Sequence, residues 1–239
     1  MGNSEKQAAV ATAESVANSV ERLNVVSDER IGEGGFLVLR RLVLVNQRSD
    51  GSVSLPYSCD FVERPYGLDA VAIVVYRRLK GAIEVLLRTG LRPPMQFGRS
   101  QHVPIAEPAP SPFSTEIAAG LIEGHDRGLD GIRDRACEEV LEELGLALSR
   151  ERLVSLGAAT VPTASVIPER LYLYAAEITA ADVAVALAGD GSPMEEGATT
   201  TWWSLNQAVD ACVGGEIVDS KTELALRRLR DRLMESTGQ

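Results

Sequence analysis

The chain has 239 residues, enough for one large domain or for one domain with a small extension. Hydrophobic residues make up 45% of it and charged residues 24%, as in an ordinary soluble globular protein. The formal net charge of −10 argues against nucleic acid or an anionic membrane surface as a partner. An acidic site that binds a metal ion is compatible with this charge.

The cysteines and the hydropathy pattern indicate a cytoplasmic protein. Cys59, Cys137 and Cys212 lie far apart and lack paired spacing, which favours reduced thiols over a disulfide framework. No apolar segment follows a basic start, and no run of about eighteen apolar residues occurs. We therefore expect neither secretion nor a membrane span.

The first segment is polar and rich in alanine, with Val16, Val20 and Leu23 at helical spacing. We predict a frayed helix in residues 1–23 and assign residues 1–30 to an N-terminal extension. In the next segment short apolar runs alternate with turn signals, which predicts a small antiparallel β unit. This unit is assigned to residues 31–66, with strands at 36–39, 42–45 and 53–55 and a turn at Asp50-Gly51.

Residues 67–235 are predicted to form the main domain, which begins with a buried hairpin. Ala70–Tyr76 and Ile83–Arg88 are nearly continuous apolar runs, and Lys80-Gly81 supplies a turn between them. Residues 96–114 are rich in proline and lack periodicity, which predicts an irregular loop. Long loops of this kind are often lids or partner contacts.

An acidic helix is predicted after this loop. Ile132, Ala136, Val140 and Leu144 recur every fourth residue, and Gly145 fits a left-handed C-terminal cap. Its last two turns carry Glu138, Glu139, Glu142 and Glu143. There the helix dipole disfavours anions by roughly 0.3–1 kcal/mol each, and carboxylates three or four residues apart share one edge. Hard cations such as Mg²⁺ prefer such oxygen ligands, whereas most charge runs on helices are only solvated faces.

The rest of the chain alternates strands and helices. Strands are predicted at 154–159, 171–178 and 199–203, and helices at 205–211 and 220–234. A polar loop at residues 190–197 precedes the last strand and contains Glu195 and Glu196. Asp219 or Ser220 can cap the final helix.

The acidic helix and the segment before it resemble the Nudix box of the Nudix hydrolases. The family pattern is Gly, five residues, Glu, seven residues, then Arg-Glu-apolar-x-Glu-Glu-x-Gly-apolar. Gly120 opens the pattern, and Glu138–Leu146 matches its second half except at the first position. Three departures are present: Asp126 stands for the first Glu, eleven residues follow it in place of seven, and Glu138 replaces the Arg.

The resemblance implies a site for Mg²⁺ or Mn²⁺. It assigns metal binding to Ala119, through its main-chain carbonyl, and to Glu139, Glu142 and Glu143. Glu142 would in addition hold water, which gives it a catalytic role. In the family the Arg of the box helps to hold the catalytic carboxylates, and here Arg133 or Arg135 is the candidate to replace it.

Other segments resemble the ADP-ribose and nucleotide-sugar pyrophosphatase branch of this family. In that branch an Arg before a proline contacts the diphosphate, as Arg92 precedes Pro93-Pro94 here, and Gly215–Thr222 matches the signature Gly-x-Ile-x-Asp-x-Lys-Thr. Guanidinium groups bind phosphate oxygens in pairs, which agrees with that role. The resemblance predicts substrate binding by Arg88, Arg92 and Glu169, and a general base at Glu195 or Glu196. Each also has a plain alternative: solvent-facing arginines at a strand end, an ion pair of Glu169 with Arg170, and a solvated pair at Glu195-Glu196.

The resemblance implies a Nudix-like α/β/α sandwich with a mixed sheet and a small N-terminal antiparallel β extension, which often mediates dimers in this branch. The expected activity is metal-dependent hydrolysis of the diphosphate in a nucleoside diphosphate linked to a sugar. The expected assembly is a homodimer in the cytoplasm, without nucleic acid or membrane partners. The alternative function is a non-catalytic Nudix-like module that binds a nucleotide to regulate a partner, and the departures in the box support it.

Overall fold

The structure is a computed structural model that describes residues 20–98, 104–105, 111–185 and 192–237. Its contacts divide the chain into two units. Among the described residues, one unit contains those up to Pro65 together with Thr163–Pro168, and the other contains those from Tyr66 to Pro162 and from Glu169 onward. The domain boundary expected at residue 66 stays a prediction, and the grouping of Thr163–Pro168 with the first unit was not expected from the sequence.

The first unit contains a three-stranded antiparallel sheet in the order β1-β2-β3. Its strands are β1 (Val20–Ile31), β2 (Val38–Arg48) and β3 (Tyr57–Glu63). The expected antiparallel extension is thus confirmed, with different strand boundaries. The runs predicted at 36–39 and 42–45 fall mostly within one strand, β2, and the run at 53–55 contributes only an isolated bridge of Val53 to Gln47.

The helix predicted for residues 1–23 is wrong where the structure describes it. Val20 to Leu23 belong to β1, while residues 1–19 lie outside the described residues. β1 pairs with β2 from Val20 opposite Arg48 to Ile31 opposite Leu39. The hydrogen bonds of this pairing satisfy the backbone N–H and C=O groups of β1. They outweigh the weak helical pattern of apolar residues in this segment of the sequence.

The second unit is built on a seven-stranded mixed sheet. Its main path has the order β10-β5-β4-β9-β8, with β6 paired to β5 and β7 paired to β4. β4 and β9 are parallel, and the other pairings are antiparallel. The strands are β4 (Ala70–Leu79), β5 (Ala82–Leu91), β6 (Phe113–Glu116), β7 (Ala118–Leu121), β8 (Val154–Ser155), β9 (Leu171–Ile178) and β10 (Thr199–Ser204).

Helices cover both faces of this sheet, which confirms the predicted sandwich. The α-helices are α1 (Pro93–Phe97), α2 (Gly128–Leu144), α3 (Leu205–Gly214) and α4 (Ser220–Thr237). One core joins α2 to alternate residues of β4 and contains Val71, Ile73, Val75, Ile132, Ala136 and Val140. The opposite core joins α3 and α4 to the intervening residues and contains Ala72, Val74, Ala208, Val209, Leu226 and Leu229. Side chains of successive strand residues point to opposite faces, so β4 serves both cores.

Two predicted segments differ from the structure. The strand expected at 154–159 is only Val154–Ser155, and the loop expected at 96–114 is flanked by α1 and by β6, which begins at Phe113. Most of that loop lies outside the described residues. None of the described helices is long and apolar enough to cross a membrane.

Candidate active site

Gly120 on β7 lies directly against Glu139 on α2. A Cβ atom built on Gly120 would lie 1.7 Å from Glu139 Oε1, so a side chain at position 120 would displace that carboxylate. Val71 on β4 pairs with Gly120, and the apolar stripe of α2 packs over the same face of the sheet. The glycine therefore lets the glutamate of the helix lie directly against the strand.

Glu143 lies one turn further along α2 and is buried. Its Oε2 accepts a hydrogen bond from the Ala119 main-chain amide at 2.9 Å, and its Oε1 lies 3.5 Å from Arg88 Nη1. Burial raises the pKa of Glu143, while the guanidinium of Arg88 opposes this effect. This carboxylate is thus fixed by one main-chain donor and one buried cation.

The charge on Glu139 is less well compensated. Burial raises its pKa to about 8, and the carboxylates of Glu143 and Glu142 contribute in the same direction. The nearest guanidinium nitrogen of Arg135 is 3.9 Å from Glu139 Oε1. A bound divalent cation would favour the ionised form of these carboxylates and relieve their repulsion.

The residues present fit a hard cation, although the donors are not gathered in advance. Glu139 and Glu143 supply carboxylate oxygens, and Glu142 is partly buried on the same helix. Within the described ranges, no group of three or more His, Cys, Asp or Glu side chains already has a spacing that could hold a metal ion. Mg²⁺ usually keeps several waters and needs only one or two protein carboxylates, so the Glu139 and Glu143 pair is a sufficient donor set.

Arg133 and Arg135 are the two candidates to replace the Arg of the box, and Arg135 is the one that lies near the carboxylates. Its guanidinium lies 3.1 Å from Asp126, 3.2 Å from Glu138 and 3.9 Å from Glu139. The other candidate, Arg133, lies 3.9 Å from Asp130 in the first turn of α2. Arg135 is therefore the arginine positioned to hold Glu139.

Asp126 and Glu138, two of the departures from the box, have different surroundings. Asp126 is nearly buried, and its Oδ2 accepts hydrogen bonds from the Glu123 amide at 2.9 Å and from Arg135 Nε at 3.1 Å. These donors outweigh the effect of burial and lower the pKa of Asp126. Glu138 is exposed on the outer side of α2. The longer loop is thus anchored to the helix through Arg135.

Arg88 does not face solvent. Its side chain is only 1% exposed and forms ion pairs with Glu143 and with Glu195, through Nη1 and Nη2 respectively. In this position the guanidinium contacts two carboxylates, and its predicted contact with the diphosphate stays a prediction. Of the two candidate bases, Glu195 contacts the buried guanidinium of Arg88, whereas Glu196 is exposed.

Arg92 belongs to a second charged cluster, which the sequence reasoning missed. Its Nε lies 2.9 Å from Oε1 of the buried Glu116, and Lys221 forms an ion pair with the other oxygen of Glu116. Lys221 also lies 3.0 Å from Asp219, which accepts a hydrogen bond from the Thr222 amide at 3.0 Å. The available signal was a single acid, Glu116, directly before the apolar run Ile117–Ala119.

Glu169 lies at the same end of the strands as the loop after β7. It precedes β9, whose Leu171 pairs with Ala70, and Ala70 also pairs with Leu121 at the end of β7. Glu169 is partly buried. The register thus places this residue near the Gly120 segment.

The comparisons with known proteins concern the fold. No protein-family model matches the chain, and no curated protein matches it. The crystal structure of an ADP compounds hydrolase matches 91% of this chain and 97% of its own, with a TM-score of 0.61 and 15% identity. A C. elegans Ap4A hydrolase complex covers 70% of this chain and 98% of its own, with a TM-score of 0.45 and 18% identity. The NUDIX domain of Shewanella oneidensis NrtR complexed with ADP ribose covers 70% and 88%, with a TM-score of 0.41 and 16% identity.

The first of these likenesses extends over nearly the whole of both chains, including most of the first unit. At 15% identity it is a likeness of architecture. In this chain that architecture consists of the mixed sheet, the helices on its two faces and the additional three-stranded sheet. The chain therefore shares the fold of this hydrolase, and its own architecture is the predicted α/β/α sandwich with an N-terminal antiparallel extension.

Proposed function

We propose that this protein hydrolyses the diphosphate of a nucleoside diphosphate linked to a sugar, with Mg²⁺ or Mn²⁺ as the cofactor. The observation that carries the proposal is a pair of carboxylates with little exposure: Glu139 lies against the side-chain-free position Gly120, and the buried Glu143 accepts a hydrogen bond from the Ala119 amide. Buried like charges are costly without a cation. The fold is shared with a protein described as an ADP compounds hydrolase, which supports the same substrate class.

Glu139 and Glu143 would hold the metal, with the Ala119 carbonyl as a further ligand and Glu142 holding a water. The bound cation would neutralise the diphosphate and lower the pKa of an attacking water. Arg135 keeps Glu139 in place, and the Ala119 amide keeps Glu143 in place. These contacts would orient Glu139 and Glu143 individually, and the bound cation would draw the donors together.

Arg92 is the proposed diphosphate contact, and Glu195 is the better placed of the two candidate bases. The Arg92 side chain is one-third exposed, so its guanidinium has donors left for a phosphate while Glu116 holds its Nε. Glu195 would accept a proton from water that attacks phosphorus, and the anhydride oxygen would leave with the other phosphate. Glu169 is proposed to contact the substrate from the start of β9.

The test is a substrate panel with ADP-ribose, UDP-sugars and GDP-sugars in the presence of Mg²⁺ or Mn²⁺. Chromatography should show a nucleoside monophosphate and a sugar phosphate in equal amounts for at least one member. The Glu139→Gln and Glu143→Gln variants serve as inactive controls. Tight nucleotide binding by calorimetry without product from any member would overturn the proposal in favour of the regulatory module.

A further inference from the structure

The buried guanidinium of Arg88 has an unusual environment for an arginine. It is one of the largest fully buried side chains in the described part of the chain, and its Nη1 makes no hydrogen bond there. Burying a cation is costly unless partners compensate it, and here two carboxylates do so. One belongs to the metal-binding helix, Glu143, and the other, Glu195, belongs to the short turn before β10.

Gly90 on β5 leaves space for the guanidinium of Arg88. Residues two apart on a strand share a face, and a Cβ atom on Gly90 would lie 2.4 Å from Arg88 Nη1. The carboxylate of Glu143 cannot turn freely toward the guanidinium, because the Ala119 amide holds its other oxygen. Arg88 therefore shares its charge between a fixed acid and an acid carried on a turn.

We propose that Arg88 is a positioning residue that couples the metal ligand Glu143 to the general base Glu195. This inference rests on the proposed function. The carboxylate of Glu195 pairs with Nη2 of Arg88, balances part of its positive charge and leaves Glu143 available to a metal cation. When the contact with Glu195 is lost, the guanidinium turns to Glu143 alone, and this carboxylate then has less negative charge to offer a cation.

The coupling is measured as Mg²⁺ affinity, by calorimetry on metal-stripped protein. Neutralising Glu195 with Glu195→Gln should weaken Mg²⁺ binding by at least about fivefold, the lower end of typical coupling between sites. The change should be clearly smaller when Glu195→Gln is made in an Arg88→Met background, because only the direct loss of one charge remains. Glu196→Gln is the matched control, since it removes the same charge from the exposed neighbouring residue.

Arg88→Met leaves a buried acid uncompensated and can fail to fold, so Gly90→Ala provides a second background. The added methyl would lie 2.4 Å from Arg88 Nη1 and therefore displaces the guanidinium, while Arg88, Glu143 and Glu195 all keep their side chains. In this background too, Glu195→Gln should weaken Mg²⁺ binding less than it does in the wild type. A substrate-contacting Arg88 would instead raise KM in Gly90→Ala and leave the effect of Glu195→Gln on Mg²⁺ affinity unchanged.

An equal effect of Glu195→Gln in the wild-type and both altered backgrounds overturns the coupling while leaving the hydrolase proposal intact. Absence of both Mg²⁺ binding and turnover in the wild-type protein would instead overturn the proposed function. Steady-state kinetics on the wild type, run beside the calorimetry, separates the two cases. A smaller effect in either altered background, with active wild type, supports the coupling.

Discussion

The surroundings of Glu139 disfavour the ionised form of its carboxylate. Its side chain is about 12% exposed, it lies in the last two turns of α2, and two further acids follow within one turn. The helix dipole, the burial and the neighbouring carboxylates all disfavour the ionised form. A residue kept in such a place is best explained by a ligand that needs it charged.

We expect Glu139→Gln to abolish turnover and to stabilise the metal-free protein at alkaline pH. Because the folded-state pKa of Glu139 is raised from 4.5 to about 8, the folded state holds a proton that the unfolded chain has released. The metal-free wild type therefore loses stability as the pH rises from about 4.5 to about 8, and Glu139→Gln lacks this loss. Thermal melting across this range should show a variant-to-wild-type difference that grows with pH.

The metal arm of this experiment repeats the melting with Mg²⁺. A cation that binds the folded state raises the melting temperature of the wild type, and Glu139→Gln should respond much less. Glu138→Gln is the control, because that acid is exposed and belongs to the same helix. Equal stabilisation of wild type and Glu139→Gln by Mg²⁺ would mean that the ion binds elsewhere.

Arg92→Ala should lower kcat/KM about ten- to a hundredfold, since a charge-assisted hydrogen bond contributes roughly 1.5–3 kcal/mol. Arg92→Lys should recover only part of this, because an ammonium group cannot make the paired contact. Stability should change little, since Lys221 remains beside Glu116. Arg78→Ala, at an exposed ion pair with Glu177, is the control, and an unchanged kcat/KM in Arg92→Ala would exclude the contact.

At the scale of elements, α2 is held at both ends by different means. Its C-terminal end has Gly145 in the left-handed conformation, with φ of +69°, where glycine is favoured. Its N-terminal loop is tied back by Asp126 and Arg135. The extra residues of this loop therefore leave the spacing of Glu139 and Glu143 undisturbed.

Arg135→Met should weaken Mg²⁺ binding by about ten- to a hundredfold, as loss of a residue that orients metal ligands typically does. Arg133→Met, which changes the same residue type on the same helix, should have little effect on Mg²⁺ binding measured by calorimetry.

Glu138→Arg should leave turnover within about twofold of wild type, because Arg135 already lies beside Glu139. A large gain of turnover in Glu138→Arg would show that the orienting role is unfilled, and calorimetry with kinetics decides between these outcomes.

At the scale of the molecule, the first unit exposes apolar side chains on the surface of its sheet. Leu23, Val25 and Val26 on β1 are more than half exposed. Exposed apolar patches of this kind often mark interaction surfaces. The homodimer expected from the resemblance therefore has a candidate surface in β1.

Val25→Lys should shift the protein from dimer to monomer, since a charge within an apolar interface is costly to desolvate. Size-exclusion chromatography with light scattering measures the mass directly. Val213→Lys is the control, because Val213 is equally apolar and exposed but lies on α3 in the second unit. A monomeric wild type, or a dimer unaffected by Val25→Lys, would contradict this surface.

The sequence alone determined the parts of this protein in which local pattern and tertiary packing agree. The stripe of Ile132, Ala136, Val140 and Leu144 predicted α2, and the apolar runs around Lys80-Gly81 predicted the hairpin of β4 and β5. The resemblance of the acidic helix to a Nudix box predicted the sandwich. These elements are specified by periodicity and burial within a few neighbouring residues.

The tertiary structure alone decided which charges meet. Arg88 and Glu195 are 107 residues apart, and Lys221 and Glu116 are 105 apart, so no spacing in the sequence relates them. A strand-end arginine reads locally as solvent-facing, and only the packing of α2 and the turn before β10 encloses Arg88. Pairing with β2 likewise made Val20–Ile31 a strand, because long-range hydrogen bonds outweighed a weak helical pattern.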